Sequence, residues 1–228
     1  MENLLIILII ITVTVILFLA MRRLYMRFSV AFLHPVLTTT TLICIFLVNF
    51  NFSYDEYMLG GVWIEKLLGP CVVALAYPLY NQRAIVLRFW KAIILSVVTG
   101  IISAMGSVIL FAKIFNINNE LIFTMLPKSI TTPVAIQLSD TIGGSPSMTA
   151  VFVMIAGFSG IIIGPLVLKL TGVRSPLGRG LALGSAAHAL GVAKSTEYGE
   201  FALSMASVSM TLSAILGSII GPVLLLLL

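Results

Sequence analysis

Long runs of apolar residues, separated by short polar loops, dominate the chain. Four of these runs precede residue 120, at 4–20, 30–48, 63–80 and 92–111. Each is close to the roughly 20 apolar residues that a helix needs to cross a bilayer. The pattern predicts an all-α polytopic membrane protein with four N-terminal spans in 1–120.

The amino-acid composition supports a membrane protein and indicates a single membrane domain. Of 228 residues, 60% are hydrophobic and 9% are charged, and the mean hydropathy is +1.16. These values exclude an ordinary soluble domain, and the length leaves room for a single membrane domain, 1–228. The formal charge of +5 indicates orientation in a membrane protein, so the bilayer is the expected partner and nucleic acid is not.

The polar loops alternate in charge, and this alternation predicts topology. Basic residues cluster at 22–27 and 81–91, whereas 49–57 and 114–120 lack such clusters. Because basic loops remain in the cytoplasm, the N-terminus is expected outside.

One apolar segment does not fit simple alternation. The next basic loop, 169–179, should also be cytoplasmic, yet two apolar segments, 121–142 and 147–168, lie between it and the preceding outer loop. Both basic loops can be cytoplasmic if 121–142 is a re-entrant hairpin that turns near Thr131-Thr132-Pro133 and returns to the outer side. Such backbone is tolerated where protein or a water-filled cavity surrounds it.

An internal repeat favours this hairpin. A shift of 57 positions (221 − 164) lays 127–170 on 184–227 without a gap and repeats Ile-Ile-Gly-Pro at 162–165 and 219–222. The small-residue ladder Ala156, Gly160, Gly164 falls on Ser213, Gly217, Gly221. We therefore expect two units, 121–170 and 178–228, each a hairpin plus a span, inverted relative to each other as in many secondary transporters. The whole chain would then have about six full spans and two re-entrant hairpins.

The two hairpin tips are the candidate site. Threonine is a good helix N-cap and proline a favoured first helical residue, so Thr132-Pro133 should present a helix N-terminus, which attracts anions. Gly191 at the second tip should let backbone N–H groups approach a ligand. The predicted substrate site consists of Lys128, Ser129, Thr131, Thr132, Pro133, His188, Gly191 and Lys194, and its chemistry suits a small carboxylate.

Several of these residues have a purely structural alternative. Lys128 is either a ligand or an interfacial anchor, and Lys194 is either a ligand or the partner of Glu197 one helical turn away. His188 suits a core histidine or a proton carrier. Asp140 and Glu197 are candidates for coupling or gating, although solvated helix-end charges are the commoner case. Since no metal-ligand cluster, nucleotide loop or nucleophile–base pair is evident, we expect no metal, no cofactor and no enzymatic activity.

Four motifs carry a resemblance to a known family. They are the run 126–133 (Leu-Pro-Lys-Ser-Ile-Thr-Thr-Pro), Gly143-Gly144, the run 188–197 (His-Ala-Leu-Gly-Val-Ala-Lys-Ser-Thr-Glu), and the stretch from Gly60-Gly61 through 76–80 (Ala-Tyr-Pro-Leu-Tyr). In these motifs the chain resembles the CidB/LrgB family of bacterial membrane proteins, nearer to CidB.

The resemblance implies a multi-pass protein of the bacterial cytoplasmic membrane, with two competing functions. One is a holin/antiholin-like system in which a small CidA/LrgA-type partner helps to modulate murein hydrolase activity and cell lysis. The other comes from relatives similar to pyruvate transporters and to the plastidial glycolate/glycerate translocator. The candidate site favours the second, a secondary transporter or facilitator of C2–C3 monocarboxylates such as pyruvate, lactate or glycolate, with a holin-like pore and then a regulatory subunit as alternatives. A homodimer is expected, because the first helices lie outside the repeat.

Overall fold

The computed structural model describes residues 2–28, 33, 35–74 and 76–226. Within these residues the chain is helical and contains no strand. The helices are α1 (Glu2–Phe28), α2 (Pro35–Asn49), α3 (Tyr54–Glu65), α4 (Leu68–Ala74), α5 (Ala76–Asn81), α6 (Arg83–Phe115), α7 (Asn119–Met125), α8 (Thr132–Ile142), α9 (Pro146–Leu170), α10 (Pro176–Ser195) and α11 (Glu200–Leu225). Short 3₁₀ segments occupy Leu126–Ser129 and Thr196–Tyr198, and the chain divides into two compact units, Met1–Cys71 and Val72–Leu228.

Among the described residues, four helices are long and apolar enough to cross a bilayer, which makes this an all-α membrane protein. They are α1 from Leu4, α6, α9 and α11. The second predicted run is represented by α2, which has 15 residues and starts at Pro35. Because part of that run lies outside the described residues, the expected number of six full spans stays a prediction.

The third predicted run, 63–80, is not one continuous helix. It covers the end of α3, then α4 and α5. A turn at Lys66 and Leu67 separates α3, which ends at Glu65, from α4, which starts at Leu68. Pro70 lies in the first turn of α4, where the N–H that proline lacks has no helical partner to lose. Residue 75 lies outside the described residues, and a membrane span over this run stays a prediction.

In the first unit, α1 packs against α2 and α3. The contact with α3 is close, because a Cβ added at Gly60 would lie 2.7 Å from the Cβ of Ile10. A capping box starts α3: the Glu56 N–H donates to the Ser53 hydroxyl (3.2 Å) and the Ser53 N–H to the Glu56 carboxylate (2.7 Å). These bonds satisfy backbone donors that a helix start leaves open.

In the second unit, α6 supplies one wall of the core. Its buried side chains recur every four residues, as expected for one helix face: Ile93, Val97, Ile101, Met105 and Ile109. This face belongs to a cluster that also contains residues of α8, α9, α10 and α11, among them Leu138, Val153, Leu181 and Val208. The core therefore lies between α6 and the C-terminal half of the chain.

The segment 119–144 is a helical hairpin. Its chain reverses at Ile130 and Thr131, which are both extended. On the return, the Ser145 N–H donates to the Thr124 hydroxyl (2.9 Å), and a Cβ added at Gly144 would lie 2.7 Å from the Thr124 nitrogen. The entry and exit of this first hairpin therefore lie side by side.

A second hairpin is formed within α10. His188 has φ 51° and ψ −132°, which breaks the helix. Beyond it, a Cβ at Gly191 would collide with the Leu183 carbonyl oxygen, although eight residues of straight helix would separate the two by about 12 Å. At the base, the Arg179 guanidinium lies 4.7 Å from the centre of the Tyr198 ring. The chain thus enters and leaves this hairpin at the same end.

Glycine contacts give the directions of the long helices around the second hairpin. On α9, Gly157 faces Leu190 and Gly164 faces Leu183, so one number rises as the other falls. On α11, by contrast, Ala202 contacts Gly180 and Ala206 contacts Gly184, so both numbers rise together. Helix α9 is therefore antiparallel to the entry limb of α10 and α11 is parallel to it, so α9 and α11 run in opposite directions.

Each of these long helices packs against the tip of the hairpin in the other half. A Cβ at Gly160 of α9 would lie 2.6 Å from the Ala187 Cβ, and one at Gly217 of α11 would lie 2.5 Å from the Ile130 Cγ2. Gly160 and Gly217 are 57 positions apart, and so are Ile130 and Ala187. The two contacts are therefore equivalent under the sequence shift.

Candidate functional site

The two hairpin tips meet in the interior of the second unit. Helix α10 contacts the 3₁₀ segment Leu126–Ser129 of the first tip, and the His188 imidazole interacts electrostatically with the Ser129 backbone. Only 4% of His188 and 9% of Ser129 are exposed. The break at His188 lies 57 positions beyond Thr131, where the first hairpin turns. The fold thus brings together Ser129, Thr131 and His188, three of the residues that the sequence predicts as ligands.

Unpaired polar atoms accumulate around the tips. Within the described part of the second unit, three buried side-chain atoms lack a hydrogen-bond partner: Thr131 Oγ1, His188 Nε2 and Ser213 Oγ. Ser213 lies on α11 one turn before Gly217, which contacts the first tip. Leaving a buried polar group unpaired costs about 1–3 kcal/mol. A polar ligand at the tips would recover part of that cost.

Lys128 is the cation of the first hairpin. It stands in the 3₁₀ segment three residues before Thr131 and is half-buried. No ion pair of Lys128 occurs among the described residues, where the salt bridge found joins Lys194 to Glu197. A half-buried ammonium without a counter-charge favours the approach of an anion.

The returning helix of the first hairpin starts one residue earlier than its Thr-Pro pattern predicts. Helix α8 begins at Thr132, its N-cap is Thr131, and Pro133 is its second residue. The Thr131 hydroxyl makes no capping hydrogen bond. The N-terminus of α8, with its partial positive charge, still lies at the tip as the pattern predicted.

Lys194 does not share the environment of Lys128. Its Nζ lies 2.7 Å from a carboxylate oxygen of Glu197, and both side chains are substantially exposed. This is the structural alternative that the sequence left open. Asp140 is also exposed, near the end of α8. These three charged side chains therefore differ in burial from Thr131 and His188 at the tips, which are 5% and 4% exposed.

Gly191 has a role within the fold. It is buried, and the space that a side chain would need is filled by the Leu183 backbone and by the Ala187 Cβ at 2.9 Å. The close approach that glycine permits here is made by the hairpin itself, whereas the sequence predicts a close approach to a ligand.

A buried hydroxyl network that the sequence reading missed fixes the base of the first hairpin. The Thr149 hydroxyl lies 2.9 Å from the Thr124 carbonyl oxygen and 2.7 Å from the Ser139 hydroxyl. In the second half, the Ser209 hydroxyl donates to the Leu181 carbonyl oxygen at 3.1 Å. Thr124 and Leu181, whose carbonyl oxygens accept these bonds, are 57 positions apart. The repeat therefore relates the two acceptors, and it is the sequence signal that could have identified them.

Comparisons with known proteins give a consistent family. The model of the LrgB-like family matches residues 14–227. The chain is 57% identical to the uncharacterized protein YxaC of Bacillus subtilis, over 97% of this chain and 96% of that protein. It is 36% identical to the holin-like protein CidB of Staphylococcus epidermidis over 95% of each chain, and 37% identical to CidB of Staphylococcus aureus over 96% of each. No solved structure matches the chain.

Proposed function

Because this chain belongs to the LrgB-like family, we propose that it acts as a holin-like membrane protein. The observation that carries this proposal is its identity of 36–37% with holin-like CidB proteins along nearly the whole chain. In this proposal the protein resides in the bacterial cytoplasmic membrane and, together with a small CidA/LrgA-type partner, modulates murein hydrolase activity and cell lysis. The names of the relatives favour this function over the carboxylate transport that the sequence alone favoured.

Reconstitution tests the holin-like function. Proteoliposomes that contain the protein, with and without the small partner, are loaded with a self-quenched dye. Release of dye that neither saturates nor discriminates between solutes is expected from a holin-like pore. In cells that lack the protein, murein hydrolase activity should change and be restored by its expression. Intact vesicles together with unchanged hydrolase activity would contradict the proposal.

Transport of small monocarboxylates is a second candidate, favoured by the geometry of the hairpins. Helix α7 has seven residues and α8 has eleven, so they are about 10 and 16 Å long, too short to cross a hydrocarbon core of about 30 Å. We propose that 121–142 enters the membrane from one side and that the second hairpin enters from the other. The antiparallel directions of α9 and α11, and the equivalent contacts of Gly160 and Gly217, support inverted units 121–170 and 178–228.

In the proposed carrier, the meeting point of the tips holds the substrate carboxylate. Lys128 supplies a full positive charge, and the N-terminus of α8 supplies a partial one. The Thr131 hydroxyl and His188 Nε2 are unpaired and available for the second oxygen or for a keto or hydroxyl group of the substrate. One cation and one helix end balance a single negative charge, which favours C2–C3 monocarboxylates over dicarboxylates.

Uptake of radiolabelled pyruvate into proteoliposomes tests the carrier. Lys128→Ala removes one charge-assisted hydrogen bond, worth about 1.5–3 kcal/mol. The pyruvate concentration that gives half-maximal uptake should therefore rise by about ten- to a hundredfold. Lys128→Arg keeps the charge but changes the geometry, and Thr131→Val should cost less than the loss of charge. Lys113→Ala, in the last turn of α6, is the control. Wild-type uptake by Lys128→Ala would overturn this site, and dye leakage without saturable uptake would favour the pore.

A further inference from the structure

A cavity of about 630 Å³ opens beside the first hairpin. It lies between the 3₁₀ segment, α9 and the entry limb of α10, and Lys128 is the charged residue among its described lining residues. The remaining wall consists mainly of apolar side chains, including Phe152, Ile155, Ile163 and Leu183. Its volume is within the range of ligand pockets.

The charge stands toward one end of this cavity. The hydrogen bond between Thr149 and the Thr124 carbonyl places α7 beside the first turn of α9, and Lys128 follows one turn later. The lining residues of α9 continue from Phe152 to Leu168, which corresponds to about 24 Å of helix. The cavity therefore combines a cationic head region with a long apolar wall.

Small residues of α9 leave the space along this wall. Ala156, Ser159, Gly160 and Gly164 line the cavity. The Ser159 hydroxyl is turned to its own helix, 2.7 Å from the Ile155 carbonyl oxygen. A hydroxyl that is bonded to the backbone leaves an effectively apolar surface. Lys128 then remains as the side chain that can recognise a charged ligand.

We infer that this cavity binds a monocarboxylate with an unbranched alkyl chain, its carboxylate at Lys128 and its chain along α9. The charge complementarity of a lone ammonium and an apolar wall selects such an amphiphile over dicarboxylates and over neutral solutes. A phospholipid phosphate is a poorer match, because Lys128 lies about 14 Å along the first limb from its start at Asn119. The inferred site goes beyond the proposed functions, and it shares only Lys128 with the tip site.

Binding of radiolabelled acetate, butyrate, hexanoate and octanoate to the purified full chain tests the inference, by scintillation proximity. Affinity should rise by about two- to fourfold for each added methylene, as expected for partial to full burial. Lys128→Gln should lower octanoate affinity about ten- to a hundredfold, whereas the matched variant Lys113→Gln should leave it unchanged. An affinity independent of chain length in the wild-type protein would overturn the inference without the use of any variant.

A cavity-filling variant separates this site from the tips. Ala156→Leu should weaken octanoate binding at least tenfold and leave acetate binding within about twofold, because it occupies the space of the chain and not that of the carboxylate. The proposed functions are read from leakage and pyruvate uptake, so their failure leaves this binding result intact. Equal loss of acetate and octanoate, or a phospholipid retained in native mass spectra with no carboxylate binding, would contradict the inference.

Discussion

The contact between Gly160 and Ala187 gives a sharp test of how the two halves pack. In Gly160→Ala, the new methyl group would lie 2.6 Å from the Ala187 Cβ. Carbon atoms prefer about 3.5–4.0 Å, so about 1 Å of separation is missing. Because an alanine side chain has no rotamer to change, the backbone of α9 or of the tip must move.

The energetic consequence is measured against a glycine that has space. Gly106 of α6 has no atom within 4 Å of an added Cβ, so Gly106→Ala should gain up to about 1 kcal/mol of helix propensity. Overpacking costs about 1–3 kcal/mol. We therefore expect Gly160→Ala to be about 1–3 kcal/mol less stable than Gly106→Ala, in unfolding by SDS titration followed by circular dichroism.

A compensating substitution makes the test specific. Ala187→Gly removes the clashing atom, so the double variant should recover most of the loss, with a coupling energy of about 1–3 kcal/mol. Equal stability of Gly160→Ala and Gly106→Ala, or additive effects of the substitutions at 160 and 187, would show that Gly160 and Ala187 are not in close contact.

Three further predictions concern single residues. His188→Gly should be more stable than His188→Ala by about 1–3 kcal/mol in the same titration, because its φ of 51° strains any side chain; equal stabilities would contradict this. Thr149→Val should lower the free energy of unfolding by about 1–3 kcal/mol, whereas Ser159→Ala should lower it by less than about 0.5 kcal/mol. Equal losses would show that the buried hydroxyl network does not stabilise the first hairpin. The Ser53 backbone and hydroxyl hold the pKa of Glu56 below its usual 4.5, so the stability it adds to α3 is present above pH 4.5 and lost on acidification. Amide hydrogen exchange in α3 should become faster as the pH falls, and this pH dependence should be absent in Glu56→Gln.

Part of the candidate site could be predicted because the repeat and the chain breakers are local. Thr-Pro at 132–133 marked a helix start, and the shift of 57 positions paired Thr131 with His188, the two places where the structure breaks a helix. The repeat also paired Gly160 with Gly217, and each makes the same kind of close contact. Such features depend on a few neighbouring residues, so they are visible without coordinates.

Other features depended on contacts that the sequence does not display. Hydropathy treats 63–80 as one continuous run, because it does not register that α3 ends at Glu65 and that a new helix, α4, starts at Leu68. The spacing of Lys194 and Glu197 left open whether Lys194 is a ligand or half of an ion pair, and the structure shows the ion pair. The sequence places Ser213 in the ladder of small packing residues, and it does not display that the Ser213 hydroxyl is buried without a hydrogen-bond partner.

The central structural claim is that the two hairpins enter the membrane from opposite sides and meet at their tips. Single cysteines at Asn118, Ser145 and Ser175, introduced into a Cys44→Ser, Cys71→Ser background, test it with a membrane-impermeant thiol reagent on intact cells. Positions 118 and 145 flank the first hairpin and should both react from outside, whereas 175, before the second hairpin, should react only after the cells are opened. Labelling of 145 from the cytoplasm alone would make 121–142 a full crossing and contradict the inverted arrangement.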